Sequence, residues 1–269
     1  MNKTVLITGT SSGIGKATAQ YFHTKGWNVA ATMRNPEKEK ELGALENLQC
    51  LRLDVTDINS IKNAIQQTIN YFGSIDVLVN NAAYNLTGPF EGATADQIQA
   101  LYDVDVFGVM NVTREILPHF RKEKKGTIVN ITSLGGVIGM PLSSFYASAK
   151  WAVEGFSESL RFELDKLNIK LKIVEPGAIR TNFASNTIIV RKTDVPSYED
   201  TIEKRLAAYE ERRNKLNDPV VVAKEIYKAA TDKNNRLRYL AGNDAKLFWY
   251  IRQILPFSLF TSLIRKMAG

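Results

Sequence analysis

The stretch KTVLITGTSSGIG, residues 3–15, joins a short apolar run to a glycine-rich turn. The run TVLIT has the length and near-continuous hydrophobicity of a parallel strand that is buried on both faces. Gly9, Gly13 and Gly15 follow it, and a helical pattern comes next. Such a turn lets backbone N–H groups approach a pyrophosphate at the positive end of the helix, although glycines also simply make turns. The stretch therefore predicts a strand–turn–helix unit that binds a dinucleotide.

Short β-branched runs alternate with longer amphipathic segments through the first two thirds of the chain. This alternation indicates βαβ units and a parallel sheet, which right-handed crossovers make doubly wound. The predicted strands are Thr4–Thr8, Asn28–Thr32, Cys50–Asp54, Val77–Asn80, Thr127–Ile131, Leu171–Glu175 and Leu237–Leu240, and the predicted helices are 13–25, 57–72, 95–123, 144–166, 199–215 and 219–231. We therefore expect an α/β fold, a Rossmann-type doubly wound parallel sheet, in a single domain of residues 1–269.

The periodicity weakens in the last third of the chain. Residues 184–198 have no clear period and contain turn residues, which predicts a loop. The segment 184–215 is expected to be a variable loop and helix that walls the substrate site. Residues 244–269 are expected to form a helical tail. Arg252 and Pro256 interrupt its apolar run, which favours a lid, a dimer contact or weak surface association over a membrane anchor.

The composition excludes several classes of function. With 44% hydrophobic and 23% charged residues the chain is an ordinary globular protein. The single cysteine, Cys50, allows no internal disulfide, and the first residues lack a signal-peptide pattern, so we expect a cytoplasmic protein. His23 and His119 have no partner at ligand spacing, so no metal site is expected. The net charge of +7 comes from basic residues interleaved with acids, which argues against nucleic-acid binding.

The end of the second predicted strand indicates which cofactor binds. An acid at this position accepts hydrogen bonds from the 2′-hydroxyl of NAD, whereas an arginine binds the 2′-phosphate of NADP. Met33 stands where the acid is expected, and Arg34 follows it. This pattern predicts NADP(H), the alternative being that Arg34 is an ordinary surface residue.

Tyr146 and Lys150 lie one helical turn apart in the segment YASAK, on one face of a predicted helix. A positive charge about 4 Å from the phenol, at an effective dielectric constant of about 20, lowers the tyrosine pKa by roughly three units. Lys150 is therefore expected to bring the pKa of Tyr146 close to neutral. The chain holds a second such pair, Tyr21 and Lys25, where we expect no chemistry. Ser133 distinguishes the first pair from the second, because it follows a predicted strand and is expected to lie close to Tyr146.

The chain resembles the short-chain dehydrogenase/reductase family, of the compact single-domain type. The motifs that carry the resemblance span about residues 3–181 in the family's order, and they are TGTSSGIG (8–15), LDVTD (53–57), NNAA (80–83), Ser133, YASAK (146–150) and PGAIRT (176–181). The resemblance implies that Ser133 orients a carbonyl, that Tyr146 exchanges the proton, and that Lys150 binds the nicotinamide ribose. The cofactor-binding residues it implies are Gly9, Ser11, Ser12, Gly13, Ile14, Gly15, Arg34, Asp54, Val55, Asn81, Ala82, Tyr146, Lys150, Pro176, Gly177, Ile179 and Thr181.

One position departs from the family's pattern. The family usually has an asparagine in the long helix before the serine strand, and here the segment VDVFG places Asp105 there. In the family pattern this asparagine would hold a water that passes protons between Lys150 and solvent. An aspartate can hold the same water, but when ionised it adds a negative charge near Tyr146 and Lys150. Asp105 is therefore a fourth candidate for the catalytic set.

These features together predict an NADP(H)-dependent oxidoreductase that transfers a hydride between nicotinamide and a hydrophobic carbonyl or alcohol, with Tyr146 as general acid and base. The resemblance also implies a small-molecule substrate and a homo-oligomer, a dimer or tetramer. The alternative from another class is a sensor or regulatory protein that binds NADP(H) without turnover.

Overall fold

The computed structural model describes residues 2–180 and 187–268. The strands in these residues are β1 (Thr4–Thr8), β2 (Asn28–Met33), β3 (Leu48–Arg52), β4 (Val77–Asn80), β5 (Asn85–Thr87), β6 (Gly126–Ile131), β7 (Ile169–Pro176), β8 (Thr187–Ile189) and β9 (Arg238–Ala241). Seven of them form one parallel sheet in the order β3-β2-β1-β4-β6-β7-β9. The strand order reverses between β1 and β4, as in doubly wound folds. The predicted fold class is confirmed.

Helices cover both faces of the sheet. They are α1 (Gly13–Thr24), α2 (Ile58–Phe72), α3 (Ala95–Tyr102), α4 (Val109–Glu123), α5 (Ser144–Asp165), α6 (Pro196–Arg212), α7 (Pro219–Thr231), α8 (Asn243–Ile254) and α9 (Phe257–Ala268). Successive residues of β1 point to opposite faces, so Val5 and Ile7 join one core and Leu6 joins the other. Phe22 and Ile226 fill the first core from α1 and α7. The near-continuous apolar runs of the strands are explained by burial on both faces.

The predicted helix 95–123 is interrupted. Between α3 and α4 the backbone forms a π-helical segment, Asp103–Gly108. Gly108 lies against Val55, and a methyl group on this glycine would come within 2.6 Å of the valine side chain. A π-helical turn inside an α-helix often marks a functional site, because it changes which side chains point inward. Here it places Asp105 in the protein interior.

A second, small sheet forms where the sequence predicted only a loop. β5 and β8 pair in parallel, with Asn85 opposite Thr187. Next to this pair, Gly88 has φ +140°, and a Cβ there would lie 2.3 Å from the carbonyl oxygen of Val190. The prediction of a loop over 184–198 is wrong for Thr187–Ile189 and for the start of α6, while residues 184–186 lie outside the described part. Among the described helices, none is both long and apolar enough to cross a membrane.

Candidate active site

One cavity of about 840 Å³ opens at the carboxyl ends of the sheet strands. The predicted site residues that line it are Gly9, Ser11, Ser12, Gly13, Ile14, Gly15, Arg34, Asp54, Val55, Asn81, Ala82, Ser133, Tyr146, Lys150, Pro176, Gly177 and Ile179. This edge of a parallel sheet is where doubly wound proteins bind their ligands. Asp105 is fully buried directly behind Lys150 and does not reach the cavity surface. Thr181 lies outside the described residues.

The glycine loop between β1 and α1 is built for close backbone approach. Gly9 has φ +72°, and a Cβ on it would lie 2.7 Å from the Cα of Ala82. A Cβ on Gly15 would lie 2.1 Å from the carbonyl oxygen of Gly9. Neither position tolerates a side chain, so the loop stays against the cavity with α1 beginning at its rim. This backbone cradle fits the pyrophosphate of a dinucleotide.

Asn81 holds the glycine loop against the end of β4. Its side-chain amide donates hydrogen bonds to the carbonyl oxygens of Thr8 at 2.9 Å and Gly9 at 3.0 Å. Its backbone N–H donates to the hydroxyl of Thr8 at 2.9 Å, and that of Ala82 does so at 3.0 Å. Asn81 lines the cavity, and its side chain fixes the shape of the loop.

The side chains at the end of β2 match the pattern read from the sequence. Met33 is 3% exposed, whereas Arg34 is exposed and lines the cavity. The nearby cation Lys16 is already paired with two acids, Glu39 at 3.1 Å and Glu41 at 2.9 Å. Arg34 forms no ion pair within the described ranges. Its guanidinium is therefore available for an anion at this end of the cavity.

Ser133, Tyr146 and Lys150 meet at the middle of the cavity. Ser133 follows β6, and its hydroxyl accepts a hydrogen bond from the N–H of Gly135 at 3.0 Å and bonds to the Tyr146 side chain. The Lys150 ammonium lies 5.5 Å from the centre of the Tyr146 ring. It also donates to the carbonyl oxygen of Ile131 at 3.5 Å. The three polar side chains therefore lie close together in the cavity lining.

Asp105 forms a buried ion pair with Lys150. The distance from its Oδ2 atom to Lys150 Nζ is 3.1 Å, and the two side chains are 0% and 3% exposed. Its Oδ1 atom accepts a hydrogen bond from the backbone N–H of Tyr84 at 3.0 Å. The position where the family has an asparagine is thus occupied by a carboxylate in direct contact with the site lysine.

Burial and charge act on the site pKa values in opposite directions. Burial raises the pKa of Tyr146, and the negative charge of Asp105 raises it further. The Lys150 charge and a hydrogen bond with Ser133 lower this pKa, but the net value lies above the usual one. Burial lowers the pKa of Lys150, but Asp105, Tyr146 and Glu154 together more than offset this effect, so the net pKa is raised. Burial also raises the pKa of Asp105, while Lys150 and the Tyr84 N–H oppose this. The prediction that Lys150 alone brings Tyr146 close to neutral is wrong, because burial and the aspartate charge outweigh the lysine.

The second tyrosine–lysine pair lies away from the cavity. Tyr21 packs edge-on against Tyr227, with ring centres 5.5 Å apart. The Lys25 ammonium lies 5.3 Å from the centre of the Tyr21 ring. The same spacing on a helix therefore produces only a contact between two side chains here, outside the lining of the cavity.

Several cavity residues were not singled out by the sequence motifs. The far end of the cavity is lined by β5, β8 and α6, and these contribute Ile188, Ile202 and Arg205 among others. Behind the lining residue Ala178, the carboxylate of Asp244 accepts a hydrogen bond from the Ala178 N–H at 2.6 Å, which fixes the loop after β7. No motif marks these residues, since they reach the site through the packing of variable segments.

Known proteins resemble the chain in sequence and structure. The family model described as short chain dehydrogenase matches residues 3–189. A 3-ketodihydrosphingosine reductase of Bacteroides thetaiotaomicron is 36% identical over 88% of this chain and 87% of that protein. A solved short-chain dehydrogenase from Streptomyces avermitilis is 32% identical with a TM-score of 0.83, covering 94% of this chain and 93% of that one. The structure of ElxO with NADP bound is 31% identical with a TM-score of 0.74, covering 90% and 98%.

Proposed function

The chain belongs to the short-chain dehydrogenase family of oxidoreductases, and we propose that it catalyses reversible hydride transfer between NADP(H) and a carbonyl or alcohol carbon. The observation that carries this proposal is the convergence of Ser133, Tyr146 and Lys150 in the cavity that the glycine loop borders. A sensor that only binds the nucleotide has no need of an acid–base group at this place, so the convergence supports turnover.

The bound nicotinamide supplies the hydride, or accepts it in the oxidative direction. The Ser133 hydroxyl orients the substrate oxygen by a hydrogen bond. The Tyr146 hydroxyl gives its proton to that oxygen as the alcohol forms, and takes the proton back in the reverse reaction. The Lys150 ammonium stabilises the resulting phenolate by its charge.

NADP(H) is the proposed cofactor. Arg34 lines the cavity next to the buried Met33, and Met33 stands at the position where an acid would bind the 2′-hydroxyl of NAD. A guanidinium forms strong charge-assisted hydrogen bonds with a phosphate. The relative ElxO, solved with NADP bound, adds support from a chain that is 31% identical.

The substrate is proposed to be largely apolar. The far part of the cavity is walled by aliphatic side chains such as Ile188, Ile189, Ile202 and Leu206. Pockets of this kind bind an apolar body and use a few polar groups to orient it. The relative named 3-ketodihydrosphingosine reductase is consistent with an apolar carbonyl substrate.

A homo-oligomer is proposed as the active form. Trp151 and Phe162 are 49% and 67% exposed on α5, and their spacing of eleven residues puts them on one face of the helix. Exposed aromatic residues of this kind are enriched at protein interfaces. The mass in solution, measured by light scattering after gel filtration, tests this proposal.

The replacement Tyr146→Phe tests the assigned chemistry. It should lower kcat at least about tenfold while leaving NADPH affinity nearly unchanged, because the hydroxyl acts on the substrate proton. Activity is followed by NADPH absorbance over a panel of carbonyl compounds, and affinity by cofactor fluorescence titration. Tyr21→Phe is the matched control and should behave like the wild type. A Tyr146→Phe variant that keeps more than about a tenth of the wild-type kcat would place the acid–base group elsewhere.

A further inference from the structure

The substrate end of the cavity contains one charged side chain among its described residues. The walls there come from β5, the turn before α5, β8 and α6, and they include Thr87, Leu142, Ile188, Ile189, Ile202 and Leu206. Arg205, on the same face of α6 as Ile202, is the exception. A guanidinium in a wall that is otherwise uncharged and largely aliphatic costs desolvation energy, so it calls for a specific partner.

Arg205 has no acidic partner in the described part of the chain. Its guanidinium donates to the hydroxyl of Ser143 at 3.0 Å and to the carbonyl oxygen of Pro141, both of them neutral. The ion pairs of the described residues do not include it, and the undescribed stretch 181–186, TNFASN, holds no acid. Burial lowers the pKa of this guanidinium, and no carboxylate raises it again.

The guanidinium has donors to spare. An arginine side chain carries five N–H groups in a planar fork, and the two neutral acceptors use two of them. The fork matches the two oxygens of a carboxylate, and such pairs are the strong form of hydrogen bond. The arrangement therefore suits an anion that enters with the ligand.

Arg205 also lies close to the reacting group. Ser143, which it contacts, precedes the first residue of α5, and Tyr146 follows three residues later in the first turn. Three residues of helix rise by about 5 Å. A single small molecule can therefore reach both the phenol of Tyr146 and the fork of Arg205.

We propose that Arg205 binds a carboxylate of the substrate, so that the enzyme acts on apolar carbonyl compounds, or the matching alcohols, that carry a carboxylate away from the reacting carbon. This inference rests on the proposed oxidoreductase activity and narrows its substrate class. A carboxylate fits better than a phosphate dianion, because the aliphatic walls make a second negative charge costly to desolvate.

The test compares substrates that differ only in charge. The NADPH-dependent kcat/KM is measured for 4-carboxybenzaldehyde and its methyl ester, for an ω-oxo fatty acid and its methyl ester, and for 4-formylphenyl phosphate. In at least one pair the acid should exceed the ester about tenfold or more, as one charge-assisted contact provides. Arg205→Met, which keeps the bulk of the side chain, should remove this preference by lowering kcat/KM for the acid about tenfold more than for the ester.

Controls separate the possible outcomes. Lys204→Met removes the exposed neighbouring charge on α6 and should keep the preference for the acid. Arg205→Lys keeps the positive charge without the planar fork and should retain only part of the preference for the acid. With two variants at this position, the result does not depend on one of them folding. Equal kcat/KM for acid and ester, equal losses for both in Arg205→Met, or the highest kcat/KM for the phosphate overturns the carboxylate assignment. Turnover of the neutral esters in those cases shows that the proposed function itself stands, whereas no turnover of any carbonyl compound overturns both.

Discussion

At the scale of single residues, the unusual feature is a carboxylate behind the site lysine. Asp105 lies 3.1 Å from Lys150 Nζ in the protein interior, so the lysine charge that should stabilise the Tyr146 phenolate is partly neutralised. An asparagine would keep the hydrogen-bonding shape without the charge. The protein therefore holds Tyr146, the proposed acid–base group, at a higher pKa than the lysine alone would give.

The replacement Asp105→Asn should move the acidic limb of the pH profile for alcohol oxidation to lower pH. In the proposed reaction oxidation requires the Tyr146 phenolate, and removing the nearby negative charge of Asp105 lowers the pKa at which that phenolate forms. The three groups titrate together, so the limb reports an apparent value. The measurement is kcat/KM for oxidation against pH in the wild type and the variant.

A matched control lies two residues away. Asp103 lies in the same π-helical segment, but its carboxylate accepts a hydrogen bond from Gln99 at 2.8 Å instead of facing the lysine. Asp103→Asn should leave the profile unchanged. Superimposed profiles for the wild type and Asp105→Asn, or a shift of the variant to higher pH, would show that Asp105 does not tune the tyrosine.

At the scale of elements, α5 connects the cavity to a second group of buried charges. Tyr146, Lys150 and Glu154 follow one another at intervals of four residues and share one face of the helix. Glu154 is 5% exposed and, together with Glu175 of β7, contacts Arg238 of β9. One cation thus serves two buried acids, so they compete for its charge.

The replacement Glu154→Gln should change how stability depends on pH. Burial and the charge of Glu175 raise the pKa of Glu154 to about 7, from 4.5 in the unfolded chain. The folded state therefore binds the proton more tightly, and the free energy of unfolding falls as the pH rises from about 4.5 to about 7, with no further change above. At about 1.4 kcal/mol per unit, this loss reaches up to about 3 kcal/mol.

Thermal unfolding at pH 5 and pH 8 measures this effect. Glu154→Gln has no acid to titrate, so its Tm relative to the wild type should rise between these pH values by several degrees, on the order of 5 °C. Glu158→Gln is the control, since Glu158 contacts the same Arg238 but is 54% exposed. A Tm difference for Glu154→Gln that is the same at both pH values would contradict the assignment.

The elements also show what the sequence could reveal. β1 and β4 have the predicted bounds, because each is a short apolar run that ends at a turn. β3 begins and ends two residues earlier than predicted, because its pairing with β2 runs from Leu48, opposite Val29, to Arg52, opposite Met33. β5 and β8 could not be predicted, because three residues carry no period and their pairing joins segments about one hundred residues apart.

The two halves of the candidate site differ in how far the sequence could locate them. The proposed cofactor half could be located from the sequence, since Gly9, Tyr146 and Lys150 belong to local motifs and all line the cavity. The substrate half depends on Arg205 and Ile188, which meet only when β8 and α6 pack over the cavity. A π-helical turn likewise leaves no mark in the sequence, so Asp105 was recognised from the resemblance, while its burial and its contact with Lys150 were not predictable.

At the scale of the whole molecule, the cavity draws on nearly every strand of the sheet. A buried polar chain ties the central strands and their helices together, as Asn80 donates to Asn130 at 2.8 Å and Asn130 donates to Ser157 at 2.8 Å. Asn80 also donates to Thr113 of α4 at 3.1 Å. Paired polar groups of this kind fix the positions of the strands that end at the cavity. Binding of a cofactor across these strand ends should therefore stabilise the fold as a unit.

Cofactor choice should thus be visible in the stability of the protein as well as in its kinetics. NADPH at one hundred times its Kd stabilises the folded state by about 2.7 kcal/mol, or roughly 5–10 °C in Tm for a domain of this size. Without the phosphate contact NADH should bind about tenfold more weakly and give a smaller shift at equal concentration, and kcat/KM should favour NADPH by at least about tenfold. Arg34→Ala should bring both shifts and both rates together, whereas Arg121→Ala, which removes an exposed charge on α4, should not. Equal Tm shifts and equal kcat/KM for the two cofactors in the wild type would show that Arg34 binds no phosphate. A contact made only with NADPH must make at least one of these two quantities differ between NADPH and NADH.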